Sequence, residues 1–205
     1  MAVSLTVLKE AKSETRVAAT PETVKKMSAK GISVTVEAGA GAASGFTDAD
    51  YKSAGASLAK AVGPALKKSD VVMGVRAPSA AQVKSMKADA VLIATLNPYQ
   101  NAAQVKSYAA AKIQAMAMEL MPRITRAQSM DVLSSQSNLS GYKAVLDATH
   151  EYGRALPMMM TAAGTVPAAR IFVMGAGVAG LQAIATAKRL GAIVSATDVR
   201  RAAAE

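Results

Sequence analysis

Apolar residues recur along this chain in short, nearly unbroken runs separated by stretches of helical period. Leu5 to Leu8, Ile32 to Val36, Val71 to Val75, Val91 to Ala94 and Ile113 to Met118 are such runs. Continuous apolar character, rather than strict alternation, marks strands covered on both faces of a parallel sheet. Helices are predicted between them. The clearest has Thr20 as N-cap and Pro21 at its first position, and ends before Gly31. Others cover Ala56 to Lys68, interrupted at Gly63-Pro64, then Ala80 to Lys87 and Ala102 to Ala111. Strands alternating with helices predict an α/β fold with a doubly wound parallel sheet. A long helical segment, residues 139–157 and stopped by Pro157, separates this N-terminal domain, residues 1–138, from a last part, residues 158–205.

That last part opens on Arg170-Ile171-Phe172-Val173-Met174, an apolar run leading into Gly175-Ala176-Gly177-Val178-Ala179-Gly180. Strand, glycine turn and helix in this order form a dinucleotide-binding turn. The first glycine permits the sharp turn, the second lets backbone approach a pyrophosphate, and the third lets the helix pack close on the strand. The helix, Val178 to Leu190, is apolar at Val178, Leu181 and Ile184, with Lys188 and Arg189 in its last turn and Gly191 beyond. Its N-terminus would face the phosphates. A second strand, Ala192 to Thr197, ends in Asp198, 23 residues after Gly175 and followed by Val199. A carboxylate there accepts hydrogen bonds from the adenosine ribose hydroxyls and repels a 2′-phosphate, which points to NAD rather than NADP. Arg200 and Arg201 complicate this preference, since an arginine would welcome a 2′-phosphate, although they also read as an ordinary solvated basic pair at a strand end. This is the start of a Rossmann-like nucleotide-binding domain.

Ile171 to Ala187 carries no charge over 17 residues. It is not read as a membrane span, because it is short for a bilayer and changes from strand to helical period halfway. Ala38 to Gly45 is a second small-residue tract, but it lacks the lysine and hydroxyl of a phosphate-binding P-loop. It reads as a structural connection, with Thr47 capping the next short helix.

Composition narrows the function classes. With 205 residues, 51% of them hydrophobic, the chain can bury one substantial core and part of a second. The net charge of +10 arises from 24 Lys and Arg spread along the chain in blocks no longer than two, and five tyrosines and two phenylalanines do not interleave with them. Nucleic-acid binding is therefore not expected. Such a surface suits an anionic cofactor or a place near an acidic membrane face. The absence of cysteine excludes disulfides and thiolate chemistry, and one histidine, His150 within the long helix, cannot build a usual zinc site. The N-terminus lacks a basic secretory n-region, so a cytoplasmic location is expected.

A second constellation lies after the strand ending at Met118. The segment Met121 to Asn138 is dense in polar groups at a strand's carboxyl end, where doubly wound sheets bind ligands. A nicotinamide carboxamide needs a donor, such as Arg123 or Ser134, beside an acceptor, such as Asp131 or Gln128. The same segment also reads as a polar loop capping the long helix.

Three strings make a resemblance specific: Glu14-Thr15-Arg16-Val17-Ala18-Ala19-Thr20-Pro21-Glu22, Met118-Glu119-Leu120-Met121-Pro122-Arg123 on to Ser137-Asn138, and Met160-Thr161-Ala162-Ala163-Gly164-Thr165-Val166-Pro167. Over essentially its whole length the chain resembles the NAD(H)-binding domain of the proton-translocating NAD(P) transhydrogenase alpha subunits. The related alanine dehydrogenases share the fold but carry a substrate-binding lysine and a catalytic histidine where this chain has Arg76 and Asn97. The resemblance implies that Arg123, Gln128, Asp131 and Ser134 hold the nicotinamide and its ribose. It also implies direct hydride transfer from NADH to NADP+ on a partner domain, proton translocation through separate membrane domains, pairing with a second copy, and a peripheral place at the inner membrane. Direct transfer demands no general acid or base. The alternatives are an alanine dehydrogenase-like amino-acid oxidoreductase and a non-catalytic NAD-binding module.

Few residues follow Asp198, whereas a complete doubly wound domain needs more strands. The chain is therefore expected to be a piece of a longer subunit, with an apolar sheet edge exposed after Pro157. It is expected to self-associate and to bind NADH weakly.

Overall fold

A computed structural model describes residues 2–201. The chain divides into two compact units between Met130 and Asp131. In the first, strands β1 (Ser4–Val7), β2 (Ser33–Glu37), β3 (Ser57–Ala59), β4 (Val71–Arg76), β5 (Val91–Thr95) and β6 (Gln114–Ala117) form one sheet in the order β3-β2-β1-β4-β5-β6. Every pairing is parallel. Helices α1 (Pro21–Ala29), α2 (Asp48–Ser53), α3 (Val62–Leu66), α4 (Ala80–Ser85) and α5 (Ala102–Ala110) make the crossovers. The doubly wound α/β fold expected from the pattern is what forms.

Two apolar clusters fill the space between sheet and helices. One gathers Leu5, Val7, Val24, Val34, Val36 and Tyr51, and the other gathers Leu66, Val72, Leu92, Tyr108 and Ile113. Tyr51 is fully buried yet satisfied, its hydroxyl donating to the Ala19 carbonyl at 2.8 Å. The tract from Ala38 to Gly45 packs beneath it. A Cβ on Gly41 would stand 2.6 Å from the Tyr51 ring, and the Gly39 N–H donates to Asp48. Thr20 caps α1, and Thr47 caps α2 through a reciprocal box with Asp50.

Residues 56–68 are not one helix. Gly55, at φ +95°, turns the chain into extended backbone, and Ser57–Ala59 then pairs with Thr35–Glu37 as the sheet edge. Pro64 falls in the first turn of the short α3, where its missing N–H costs no helical bond. The strand near Ile113 also differs from expectation. It is an edge strand, bonded only to β5, and Gln114, Ala115 and Met116 are exposed.

The second unit contains α6 (Val132–Tyr152), the hairpin β7 (Met159–Thr161) and β8 (Gly164–Val166), and the parallel pair β9 (Arg170–Met174) and β10 (Ile193–Thr197) joined by α7 (Val178–Arg189). The long helix starts at Val132 rather than 139, because Asp131 caps it. Ile171, Val173 and Val194 alternate toward the helices, whereas Phe172 (60% exposed) and Met174 (83%) face out. On α7 it is Thr186 and Ala187 that are buried, while the apolar Val178 and Leu181 stay exposed. Helix α6 settles on α7 at Gly141, where a Cβ would lie 2.0 Å from the Ala179 carbonyl oxygen. Asn138 of α6 also donates to Gln182 of α7.

Gly141→Ala is expected to destabilise the second unit by roughly 1–3 kcal/mol, because the clash with backbone outweighs the gain in helix propensity of about 1 kcal/mol. Denaturant titration followed by circular dichroism measures it, and an unchanged midpoint would show that α6 is free to move off α7.

Electrostatics in the first unit centre on Glu14, which takes the Arg16 side chain at 2.7 Å and Arg76 Nε at 3.0 Å. The Arg16 guanidinium, before the other contacts, draws its pKa from 4.5 to about 2. A carboxylate depressed in the folded state stabilises above its unfolded pKa and loses that contribution as pH falls. Stability should therefore drop between about pH 4.5 and about pH 2 through this group. Glu14→Gln should flatten that segment in urea melts across pH. The cost at neutral pH is expected to be below about 3 kcal/mol, since both arginines are partly exposed. Glu10, raised by burial, acts in the opposite sense as pH rises.

Candidate nucleotide-binding site

The glycine turn sits between β9 and α7 as the sequence pattern requires. Gly175 adopts φ +98°, a left-handed conformation that side chains resist, and its N–H donates to the Thr197 carbonyl at 2.7 Å. A Cβ on Gly180 would fall 1.7 Å from the Gly175 carbonyl oxygen, so the first turn of α7 lies against the turn itself. Gly177 differs. Among the described residues a Cβ there would meet only Arg200 Nη2, at 3.8 Å. Gly177 is also the N-cap of α7 and makes no side-chain cap, so the helix begins with backbone N–H groups available to an anion. A cradle that a Cβ would partly fill, at the start of a twelve-residue helix, fits a pyrophosphate.

Asp198 lies beside this turn. Its Oδ2 accepts the Ala176 N–H at 2.7 Å, tying the end of β10 to the turn after β9. The side chain is only 9% exposed. Arg200, although largely exposed, is paired rather than free. Its Nε and Nη2 fork onto Asp198 at 3.0 Å each, and its own N–H donates to Oδ1 at 2.8 Å. These contacts, the Arg200 side chain foremost, hold the Asp198 carboxyl far below the usual carboxylate range. Val199, between them, is fully exposed.

The polar segment after β6 is largely helical rather than a loop. Thr125–Met130 forms a 3-10 helix, in which only Ala127 is buried. Asp131 then caps α6, its Oδ1 accepting the Ser134 N–H at 2.9 Å and its Oδ2 accepting the Ser134 hydroxyl at 2.6 Å. Asp131 and Ser134 thus meet directly, within the second unit. Arg123 and Gln128 belong to the first unit, where both are exposed. An acid followed three residues later by a serine is a capping pattern that the residues themselves carried.

Arg76 and Asn97, the positions at which the resemblance sets this chain apart, both have structural partners. Arg76 pairs with Glu14. Asn97 takes a left-handed backbone, φ +49°, and its N–H donates to Glu119. His150 is exposed on α6.

Comparison with known proteins places this geometry. Residues 6–140 match the family model described as alanine dehydrogenase/PNT, N-terminal domain, and residues 144–205 match its C-terminal domain. The Rhodospirillum rubrum protein named as the first part of NAD(P) transhydrogenase subunit alpha is 55% identical over 197 residues, which cover 94% of this chain and 51% of that protein. Its namesake from Rickettsia prowazekii is 44% identical over 208 residues, 99% of this chain and 54% of that one. The crystal structure of transhydrogenase from Sinorhizobium meliloti superposes with a TM-score of 0.92 at 58% identity, covering 98% of this chain and 60% of the other. The chain spans about half the length of the curated relatives it matches. With both family domains matched in order on a doubly wound sheet and a glycine turn, the chain belongs to the alanine dehydrogenase/PNT family.

Proposed function

We propose that this chain is the NAD(H)-binding part of a proton-translocating transhydrogenase, which presents NADH to NADP+ held on a partner domain for direct hydride transfer. The observation that carries the reading is the joining of Asp198 to the Gly175–Gly180 turn through the Ala176 N–H. One carboxylate and one anion cradle, held 2.7 Å apart at their nearest atoms, suit an adenosine ribose and its adjoining pyrophosphate. Gly175, Gly177, Val178, Ala179 and Gly180 form the phosphate end, and Asp198 with Val199 the ribose end. Arg123, Gln128, Asp131 and Ser134 are assigned to the nicotinamide and its ribose.

The dihydronicotinamide supplies the hydride when bound. The chain's own residues bind and orient it, without taking a proton from a substrate alcohol or amine. The pairing of the Arg76 side chain with Glu14, and the Asn97 side-chain amide held by Gln100, support this reading over amino-acid oxidation. Among the described residues no helix is long and apolar enough to cross a membrane. On the likeness to transhydrogenase alpha subunits, proton movement is assigned to separate membrane domains, and the chain to a cytoplasmic, peripheral position at the inner membrane. A second copy is assigned to the β7–β8 hairpin, where Met159 is 43% and Met160 81% exposed.

Asp198→Ala is expected to weaken NADH binding by roughly 1–3 kcal/mol, the scale of lost charge-assisted hydrogen bonds. Calorimetry on the full chain reads this, and unchanged affinity would remove Asp198 from the site. Mixing the chain with the NADP-binding partner domain and following hydride exchange between NADH and an oxidised nucleotide analogue tests the activity. In that assay Arg123→Ala and Gln128→Ala should slow transfer by about 100-fold while affinity changes much less, because small misplacements at the reacting carbon are costly. A loss confined to affinity would count against a positioning role.

A further inference from the structure

We infer that Arg200 is a specificity-determining residue, which sets how strictly the ribose end of the site excludes a 2′-phosphate; this rests on the dinucleotide reading above. A lone carboxylate at this position repels a 2′-phosphate and favours NAD. Asp198 is not a lone carboxylate. A carboxylate offers about four acceptor positions, and here they meet four donors: the N–H groups of Ala176 and Arg200, and Nε and Nη2 of the Arg200 fork. Ribose hydroxyls reach Asp198 only by sharing it with the guanidinium or displacing it.

The Arg200 side chain also stands where it can act on a nucleotide. It is 62% exposed, and Nη2 lies 3.8 Å from the point where a Gly177 Cβ would be, over the phosphate cradle. The paired acid and base carry no net charge, and the guanidinium keeps N–H donors beyond the two used in the fork. A 2′-phosphate entering here meets a cation as well as an anion. Discrimination between the two nucleotide types is therefore graded by Arg200 rather than fixed by Asp198. Removing the guanidinium would leave the carboxylate bare and sharpen exclusion. A contact from Arg200 to the shared 5′-phosphate cancels when two ligands differing only at the 2′ position are compared.

The test uses 5′-AMP and 2′,5′-ADP, titrated by calorimetry into the full chain and into Arg200→Ala, Arg200→Lys and Arg201→Ala, with circular dichroism to check folding. The ratio of the Kd for 2′,5′-ADP to that for 5′-AMP should rise roughly tenfold in Arg200→Ala, the scale for uncovering one unit charge near a surface. Arg200→Lys, which keeps the charge, should restore most of the original ratio, and Arg201→Ala should leave it nearly unchanged. An unchanged ratio in Arg200→Ala, with 5′-AMP still bound, would overturn the inference alone. An equal rise in Arg201→Ala would overturn it in favour of diffuse charge. Failure of the unsubstituted chain to bind 5′-AMP and NADH would remove the dinucleotide reading and this inference with it.

Discussion

Parallel strands end unevenly, and the backbone N–H groups just beyond their carboxyl ends have no neighbour to pair with. In this chain carboxylates supply the missing acceptors. Glu37 accepts the Lys9 N–H, Glu10 those of Val75 and Arg76, and Glu119 those of Leu96 and Asn97. In the second unit Asp198 does the same for Ala176. Each acid belongs to one strand's exit and grips the exit of the neighbouring strand. The loops that leave the strands at their carboxyl ends are thereby tied by charge-assisted bonds as well as by the packing of buried Leu8 and Leu96.

In the second unit Asp198 puts an anion beside the turn where the chain is proposed to bind an anionic nucleotide, and within each unit arginines answer the carboxylates. Arg16 and Arg76 share Glu14, and Arg200 forks onto Asp198. The overall excess of basic residues is thus partly committed to local pairing, while much of the rest lies on exposed surface. At the glycine turn the positive contribution comes from the backbone itself, through the uncapped start of α7.

Four of the five apolar runs in the first 118 residues were legible because buried parallel strands need continuous apolar sequence; the fifth, at β6, also forms a strand within a residue or two, but on an exposed edge. Strand β3 was not, since Ser57-Leu58-Ala59 on a sheet edge has no periodicity to separate it from a short helix. The hairpin of β7 and β8 was equally hidden. Its residues are almost all exposed, so burial leaves no pattern, and its turn relies on Gly164 at φ +131°. In the candidate site the glycine spacing was plain because each glycine answers a steric demand. The Asp198–Arg200 fork was not, because a charged pair two residues apart looks the same whether it is solvated or closed on itself.

Gly180 and the Gly175 carbonyl meet backbone to backbone, with no side chain between them. Such a contact has no rotamers, so the turn and the first residues of α7 acquire their mutual geometry when the unit folds rather than when a ligand arrives. The conformational entropy of shaping the cradle is spent once, in folding, and is not charged again to each binding event. A protein that must accept and release the same nucleotide at every turnover gains from this in speed: association needs no slow backbone step, and release needs none to undo it.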